Sequence, residues 1–254
     1  PWIDAANYGM ANLNASRSNE ELKKYLLVCE HSDYISSANE VLTQELFEID
    51  CSNKNHSVKF KTLTHFFDAE DVFKPAINES NNEEILLLYG GTLYDGTKQH
   101  LESLKQDLEE LKLEDEGTYN RLKIEIYTPE HTYRNLFNAH KNVFFSKPIG
   151  KKIFEKAQKA TGILLFYADR NKDYPTSKIF DFLPYKKPFI VYSNGGEVIG
   201  YLKEKKWGVS RSDYSGLKQL LYECSINKKS TFDFSNFDSF GLMHKVEELE
   251  RWFR

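Results

Sequence analysis

Two hydrophobic periods alternate along most of this chain. The run Ile85-Leu86-Leu87-Leu88-Tyr89 is apolar throughout and of strand length, as in a strand buried on both faces of a sheet, and it stops at Gly90-Gly91. Helical spacing follows, with Leu101, Leu104, Leu108 and Leu111 on one stripe, closed by the acidic, glycine-containing stretch 114–119. A second strand is predicted at 122–127, where Ile124 and Ile126 share a face, and Pro129 ends it. A helix over 130–140 leads to a third strand at 143–145. Ile149, Ile153, Phe154, Ala157 and Ala160 then form a helical stripe ending at Gly162. A fourth strand is predicted at 163–167, a short helix at 176–185, a fifth strand at 188–193, a helix at 198–205 and a short sixth strand at 207–210. Ser212 is placed to cap the next helix, which carries Leu217, Leu220, Leu221 and Cys224. Residues 227–240 read as an irregular wrap with four phenylalanines, and 242–253 as a final amphipathic helix.

Strand and helix alternating at this spacing predict an α/β protein with a doubly wound, Rossmann-like parallel sheet over 85–224. The earlier residues read differently: a helix around 20–29, a short strand at 34–37, a helix at 40–47, an alternating strand at 58–63 and a linker at 65–75. These are too few to make a stable sheet of their own.

Composition narrows the class. The chain has 254 residues, 40% hydrophobic and 28% charged, which is globular. The formal net charge of -4 argues against affinity for nucleic acid resting on bulk positive charge. Three widely spaced cysteines, Cys29, Cys51 and Cys224, fit neither a disulfide framework nor a zinc cluster, and the expected location is a reducing cytoplasm, including the inner face of its membrane. The longest apolar stretch, 163–168, is about a third of a membrane-spanning helix. The first residues, Pro1-Trp2-Ile3-Asp4, include neither an initiator Met nor a basic-then-apolar leader, and the expectation is a piece of a longer chain. Abundant Asn, Lys, Tyr and Phe point to an AT-rich bacterial genome. The seven histidines are scattered, and no metal site is expected.

Ligands of open α/β sheets bind at the carboxyl ends of the strands, so three loops are candidates. Gly90-Gly91-Thr92 follows the first strand of the sheet, where glycines let a phosphate approach backbone N–H groups. A lone Gly-Gly is more often a tight turn without a ligand, and neither a Walker loop nor a dinucleotide fingerprint is present. The loop after the fourth strand runs Asp173-Tyr174-Pro175-Thr176-Ser177-Lys178-Ile179-Phe180-Asp181. Asp181 would face the strand ends, where a carboxylate can accept from two ribose hydroxyls, and Lys178 could face an anion; a solvated helix start is the alternative. Gly195-Gly196-Glu197 follows the fifth strand and is equally a turn with an acidic helix start.

Asp173-x7-Asp181 followed by Phe182-Leu183-Pro184-Tyr185-Lys186-Lys187-Pro188-Phe189-Ile190 resembles the donor-site signature of GT-B glycosyltransferases, and more narrowly the group-1, family-4-like retaining enzymes. Gly90-Gly91-Thr92-Leu93 matches in position. Asp33-Tyr34-Ile35-Ser36-Ser37-Ala38-Asn39-Glu40 resembles the segment closing the N-terminal domain, and 66–73 the interdomain linker. Both acids are Asp where the family usually has Glu, and Thr92 stands where Arg commonly follows the glycine.

The resemblance implies the C-terminal half of a GT-B fold. Residues 1–75 would be the tail of an N-terminal domain with the linker, 76–240 a nucleotide-sugar-binding domain, and 241–254 a helix returning toward the N-terminal part. Gly90, Gly91, Thr92 and Lys178 would hold the donor diphosphate, Asp181 the ribose, and Asp173, the catalytic candidate, would sit near the donor sugar. Glu130, His131, Glu197 and Lys98 are further candidates for nucleotide contacts. The implied activity is metal-independent, retaining transfer from a nucleotide-sugar, in bacterial polysaccharide or glycoconjugate synthesis, to a sugar, a lipid-linked sugar or a protein. No cofactor is implied. Alternatives are a GT-B-fold sugar-nucleotide epimerase and a non-catalytic module of this fold. The 254 residues alone are expected to fold but not to turn over, and to self-associate through apolar surface at both ends, at Trp2, Leu26 and Leu27 and along the helix 242–253.

Overall fold

A computed structural model describes residues 15–53, 59–67, 84–226 and 232–252. The chain divides into two compact units: Pro1–His65 with Asp173–Pro175, and Phe66–Lys172 with Thr176–Arg254. The division expected near residue 75 falls in 68–83, outside the described residues.

The first unit contains helix α1 (Ala15–Glu30), strand β1 (Tyr34–Ser37), helix α2 (Glu40–Asn53) and strand β2 (Lys59–Thr62). The strands pair in parallel, Tyr34 opposite Lys59. Asn39 caps the start of α2, its side-chain oxygen accepting from the Leu42 N–H at 2.9 Å, and the helix runs past the predicted end at 47 to Asn53. Tyr25, Leu26 and Cys29 of α1 pack on Ile35, Leu46 and Phe60. Leu26 is therefore core rather than sticky surface, whereas Leu27 is 55% exposed. Trp2 lies outside the described residues.

The second unit is a six-stranded parallel sheet with helices on both faces. Its strands are β3 (Ile85–Gly90), β4 (Leu122–Tyr127), β5 (Val143–Ser146), β6 (Gly162–Phe166), β7 (Phe189–Tyr192) and β8 (Gly208–Ser210). Their spatial order is β5-β4-β3-β6-β7-β8. The helices are α3 (Lys98–Glu114), α4 (Glu116–Arg121), α5 (Lys152–Lys159), α6 (Ser177–Phe182), α7 (Glu197–Glu204), α8 (Leu217–Ile226) and α9 (Leu242–Trp252). Period-two alternation sorts the strand side chains. Leu87, Tyr89, Ile124, Ile126, Leu164 and Phe166 face the leucine stripe of α3 and the apolar side of α8. Leu86, Leu88, Ile163, Leu165, Phe189 and Val191 face α5, α6 and α7. Each such Leu or Ile stabilises by about 1.5–3 kcal/mol relative to an exposed position.

Three elements differ from the sequence reading. The stretch 114–119 does not simply end α3: Asp115 accepts from the Thr118 N–H at 2.9 Å and starts α4. The helix predicted at 130–140 is a 3-10 segment, Thr132–Phe137, held by three-residue bonds such as Arg134 N–H to the His131 carbonyl. Ser212 does not cap α8; it lies in the 3-10 turn Arg211–Asp213, which Ser210 caps in a reciprocal arrangement with Asp213. Of the predicted wrap, 227–231 lies outside the described residues and Phe237–Phe240 forms a 3-10 turn. Phe67 pairs with Gly241 beside the start of α9.

Candidate functional site

The strand order reverses direction between β3 and β6, and a parallel sheet binds its ligands in the crevice outside the carboxyl ends at such a point. The loop leaving β3 is held rigidly there. The Tyr89 hydroxyl donates to the Thr92 carbonyl at 2.8 Å, Leu93 is buried, and both the hydroxyl and the N–H of Thr97 reach the Tyr94 carbonyl. Gly96 approaches Ala168 so closely that a Cβ would lie 2.7 Å from the alanine methyl, which locks the loop against the end of β6.

The two glycines have different reasons to be glycine. A Cβ on Gly90 would overlap Ile153 and come within 3.4 Å of the Phe182 ring, so the end of β3 packs directly on α5 and α6. Gly91 has φ +143° and donates its N–H to the Tyr127 carbonyl at 2.9 Å. That donor continues the β3–β4 ladder, which corrects the expectation that the Gly91 N–H is open to a phosphate. What Gly91 leaves open is space for Lys178: a Cβ would collide with the Lys178 side chain and lie 2.8 Å from Nζ. The ammonium sits 5.7 Å from the Tyr89 ring centroid.

Burial pushes the Lys178 ammonium below its ordinary pKa, with Asp181 pulling it back up. Burial likewise pushes the Asp181 carboxyl up, against the pull of Lys178, even though Asp181 keeps an exposed edge. For both groups desolvation outweighs their mutual attraction.

On the α3 side of the same loop is a cleft of about 840 Å³, lined by Thr92–Gly96, Lys98, Gln99, Glu102, Glu130, Thr132, Tyr133 and Ala168–Arg170. Arg170 stacks on Tyr94, its guanidinium carbon 5.4 Å from the ring centroid. Asn194 donates to Asp169 at 3.3 Å. Burial pushes the imidazole of buried His100 below its ordinary pKa, against a hydrogen bond to the Tyr167 backbone and the charge of Asp169. A second depression, about 730 Å³, lies at the amino ends of β4 and β5 beside Lys123 and Phe144, the wrong end of a parallel sheet for its ligands.

The predicted residues thus fall into separate groups. Gly91, Lys178 and Asp181 come together, with Gly90 packing behind them. Thr92, Lys98 and Glu130 line the cleft, and exposed His131 and Glu197 are not among its lining residues. Asp173 clusters with the first unit. The sequence reading missed Tyr94, Tyr133, Asp169 and Arg170. Asp169 and Arg170 stand three and four residues past β6, a position that the rule on strand ends could have flagged. Among the described residues, no group of three or more His, Cys, Asp or Glu side chains is placed to hold a metal ion, and no helix is long and apolar enough to cross a membrane.

The sheet order and paired helical layers define a doubly wound, Rossmann-like unit. The fold is GT-B, as comparison with solved structures shows. Staphylococcus aureus TarM, solved as a G117R mutant with fondaparinux, alpha-GlcNAc-glycerol and UDP, superposes with a TM-score of 0.63 at 12% identity over 96% of this chain and 48% of its own. The apo structure of OtsA gives 0.65 at 9% identity over 94% of this chain and 63% of its own. A UDP-N-acetylglucosamine 2-epimerase candidate from Listeria monocytogenes gives 0.53 at 13% identity over 88% and 59%. The chain spans about half the length of TarM. No protein-family model and no curated protein matches the sequence.

Proposed function

We propose that this chain is the donor-binding part of a nucleotide-sugar-dependent glycosyltransferase. The observation that carries the reading is Lys178, desolvated and packed over Gly91 at the end of β3, with Asp181 beside it. Transfer develops positive charge at the anomeric carbon and negative charge on the departing diphosphate. Lys178 is positioned to stabilise the latter in a partly dehydrated setting, where such charge stabilisation is strongest. Asp181 accepts from the ribose hydroxyls. Thr92 offers a hydroxyl and its backbone to the same phosphates without adding charge. Asp173 is assigned to the donor sugar by the resemblance, and its loss should alter the preference for UDP-sugar over UDP rather than affinity for UDP itself. Transfer with retention, without metal, to a hydroxyl acceptor in bacterial polysaccharide or glycoconjugate synthesis completes the proposal. TarM and OtsA share the fold, which supports it.

The test is calorimetric titration of UDP into this chain and into Lys178→Met. A charge-assisted bond to phosphate contributes about 1.5–3 kcal/mol, so the variant should bind roughly 10–150-fold more weakly. Equal affinity would remove Lys178 from the phosphate site. The epimerase shares this fold, and NMR of UDP-GlcNAc incubated with a longer chain separates the two readings: an epimerised nucleotide-sugar supports the epimerase, and a transferred sugar the transferase.

A further inference from the structure

Tyr167, the first residue past β6, is held as a rigid post. Its N–H donates to the Tyr192 carbonyl at 3.0 Å, which extends the β6–β7 ladder, and its backbone also bonds to buried His100. Its side chain is 3% exposed and belongs to the same core as Ile179, Phe180 and Phe182 of α6. The hydroxyl is used twice: it accepts the Thr176 N–H at 3.2 Å and donates to Thr176 Oγ1 at 3.3 Å. Thr176 is the residue before α6. Its side chain makes no capping bond to the helix, and its carbonyl accepts the Ile179 N–H at 3.1 Å. Thr176 therefore joins the end of β6 to the first turn of the helix that carries Lys178 and Asp181.

The intervening chain gives that turn little other support. Residues 169–175 are exposed or half-buried, and Asp173–Pro175 cluster with the first unit rather than with the sheet. On the near side of that excursion the Lys172 carbonyl accepts the Val198 N–H at 3.1 Å. The loop is thus tied to the sheet unit at Lys172 and again, through Tyr167, at Thr176. We infer that Tyr167 is a positioning residue of the phosphate site: its hydroxyl fixes the start of α6, and with it the reach of Lys178 over Gly91. The lysine needs a fixed support. Its stem has four carbons of rotamer freedom, and its ammonium is desolvated, faced by Asp181 from its own helix and by the Tyr89 ring, 5.7 Å away on β3. A desolvated charge gains by moving toward water wherever its support gives way. Burial pushes the Tyr167 hydroxyl up to about 12, against the lowering by its bonds to Thr176, so the clasp stays protonated while Lys178 titrates below its ordinary value. The role at the phosphate rests on the donor-binding reading; the hold on the lysine does not.

The experiment is a pH titration of the Lys178 13Cε resonance by NMR in the 254-residue chain, assigned by its absence from Lys178→Met, with calorimetry of UDP in parallel. Tyr167→Phe keeps the buried ring and strips only the hydroxyl. It should raise the Lys178 midpoint by about half a pH unit or more, toward the ordinary lysine value, because water reaches the ammonium. It should also weaken UDP binding roughly 2–10-fold. Thr176→Pro removes the N–H from the other side of the same bond, at a φ of -85° close to the one that proline fixes, and should move the midpoint the same way. Tyr192→Phe is the control. It strips another buried hydroxyl, bonded to Asp107 at 2.8 Å, and should lower the melting temperature while leaving the midpoint and UDP affinity unchanged. An unmoved midpoint in Tyr167→Phe overturns the inference, as does an equal shift in Tyr192→Phe. If the midpoint moves but neither Tyr167→Phe nor Lys178→Met alters UDP affinity, the clasp stands and the donor reading falls.

Discussion

Replacing Gly91 by Ala tests whether the glycine serves a phosphate directly or makes room for Lys178. The residue has φ +143°, where a non-glycine side chain costs about 1–3 kcal/mol. In a domain of this size each kcal/mol lowers the melting temperature by roughly 2–4 °C, so Gly91→Ala should melt about 2–12 °C lower. The new methyl falls on the Lys178 side chain, whose ammonium would otherwise be 2.8 Å from that Cβ. The lysine must swing away, and its bond to phosphate, about 1.5–3 kcal/mol, goes with it. Calorimetry with UDP should therefore show Gly91→Ala losing no more affinity than Lys178→Met, and the double variant losing little beyond either. That non-additivity is the signature of two changes removing one interaction. Losses that add in the double variant would show that Gly91 touches the ligand independently. Unchanged affinity in a folded Gly91→Ala variant would refute the link altogether.

The pH dependence of UDP affinity should follow Lys178: burial lowers its pKa, so affinity falls as pH rises through that lowered value, and Lys178→Arg should hold its affinity across the same titration. Glu125 is 6% exposed; burial raises its carboxyl pKa, but hydrogen bonds from Lys123, Tyr127 and Lys156 outweigh that and hold it below the ordinary value. Its stabilisation is present above the unfolded-state pKa and is lost as pH falls through the lowered folded one, so Glu125→Gln should flatten the acid limb of a stability–pH curve measured by urea unfolding. Asp107 joins Tyr192 at 2.8 Å and Arg211 at 2.7 Å between α3 and the end of β8. Asp107→Ala strands a half-buried guanidinium and should cost about 3–5 kcal/mol in the same assay; a loss under 1 kcal/mol would mean that water replaces the carboxylate.

The strands of the sheet were legible because burial on both faces writes itself as an unbroken apolar run: β4 was predicted at 122–127 and occupies those residues. Helices with a full leucine stripe, such as α3, were legible for the same reason. Short elements were not. The one-turn α4 depends on the Asp115 cap, and Gly117 beside it reads as a breaker. Residues 130–140 contain helix formers, but only the 3-10 turn Thr132–Phe137 forms, with Phe137 as its buried residue. The site was partly legible. Lys178 and Asp181, one turn apart on α6, could be paired from spacing. That Arg170 would stack on Tyr94 could not, because the two are 76 positions apart in sequence and meet only once β6 pairs with β3.

Thr92 lines the cleft on the α3 side of the loop, next to the Gly91 that makes room for Lys178, and it adds no charge there. An arginine there would line the cleft with Asp95, Glu130 and Asp169, and its charge would be drawn to those carboxylates. At an effective dielectric of about 20 and a separation of about 8 Å, two unit charges interact with roughly 2 kcal/mol, less where salt reaches them. The cleft's excess of two negative charges would then repel each charge of a diphosphate by up to roughly 4 kcal/mol. Lys178, packed over Gly91, attracts each such charge by roughly 2 kcal/mol at the same separation, with a pKa that burial has already lowered. A threonine leaves that gradient intact. These charges favour an anionic ligand on the α6 side of the loop over the α3 side. The rigid anchoring of the loop by Tyr89, Leu93 and Thr97 keeps the two fields from averaging.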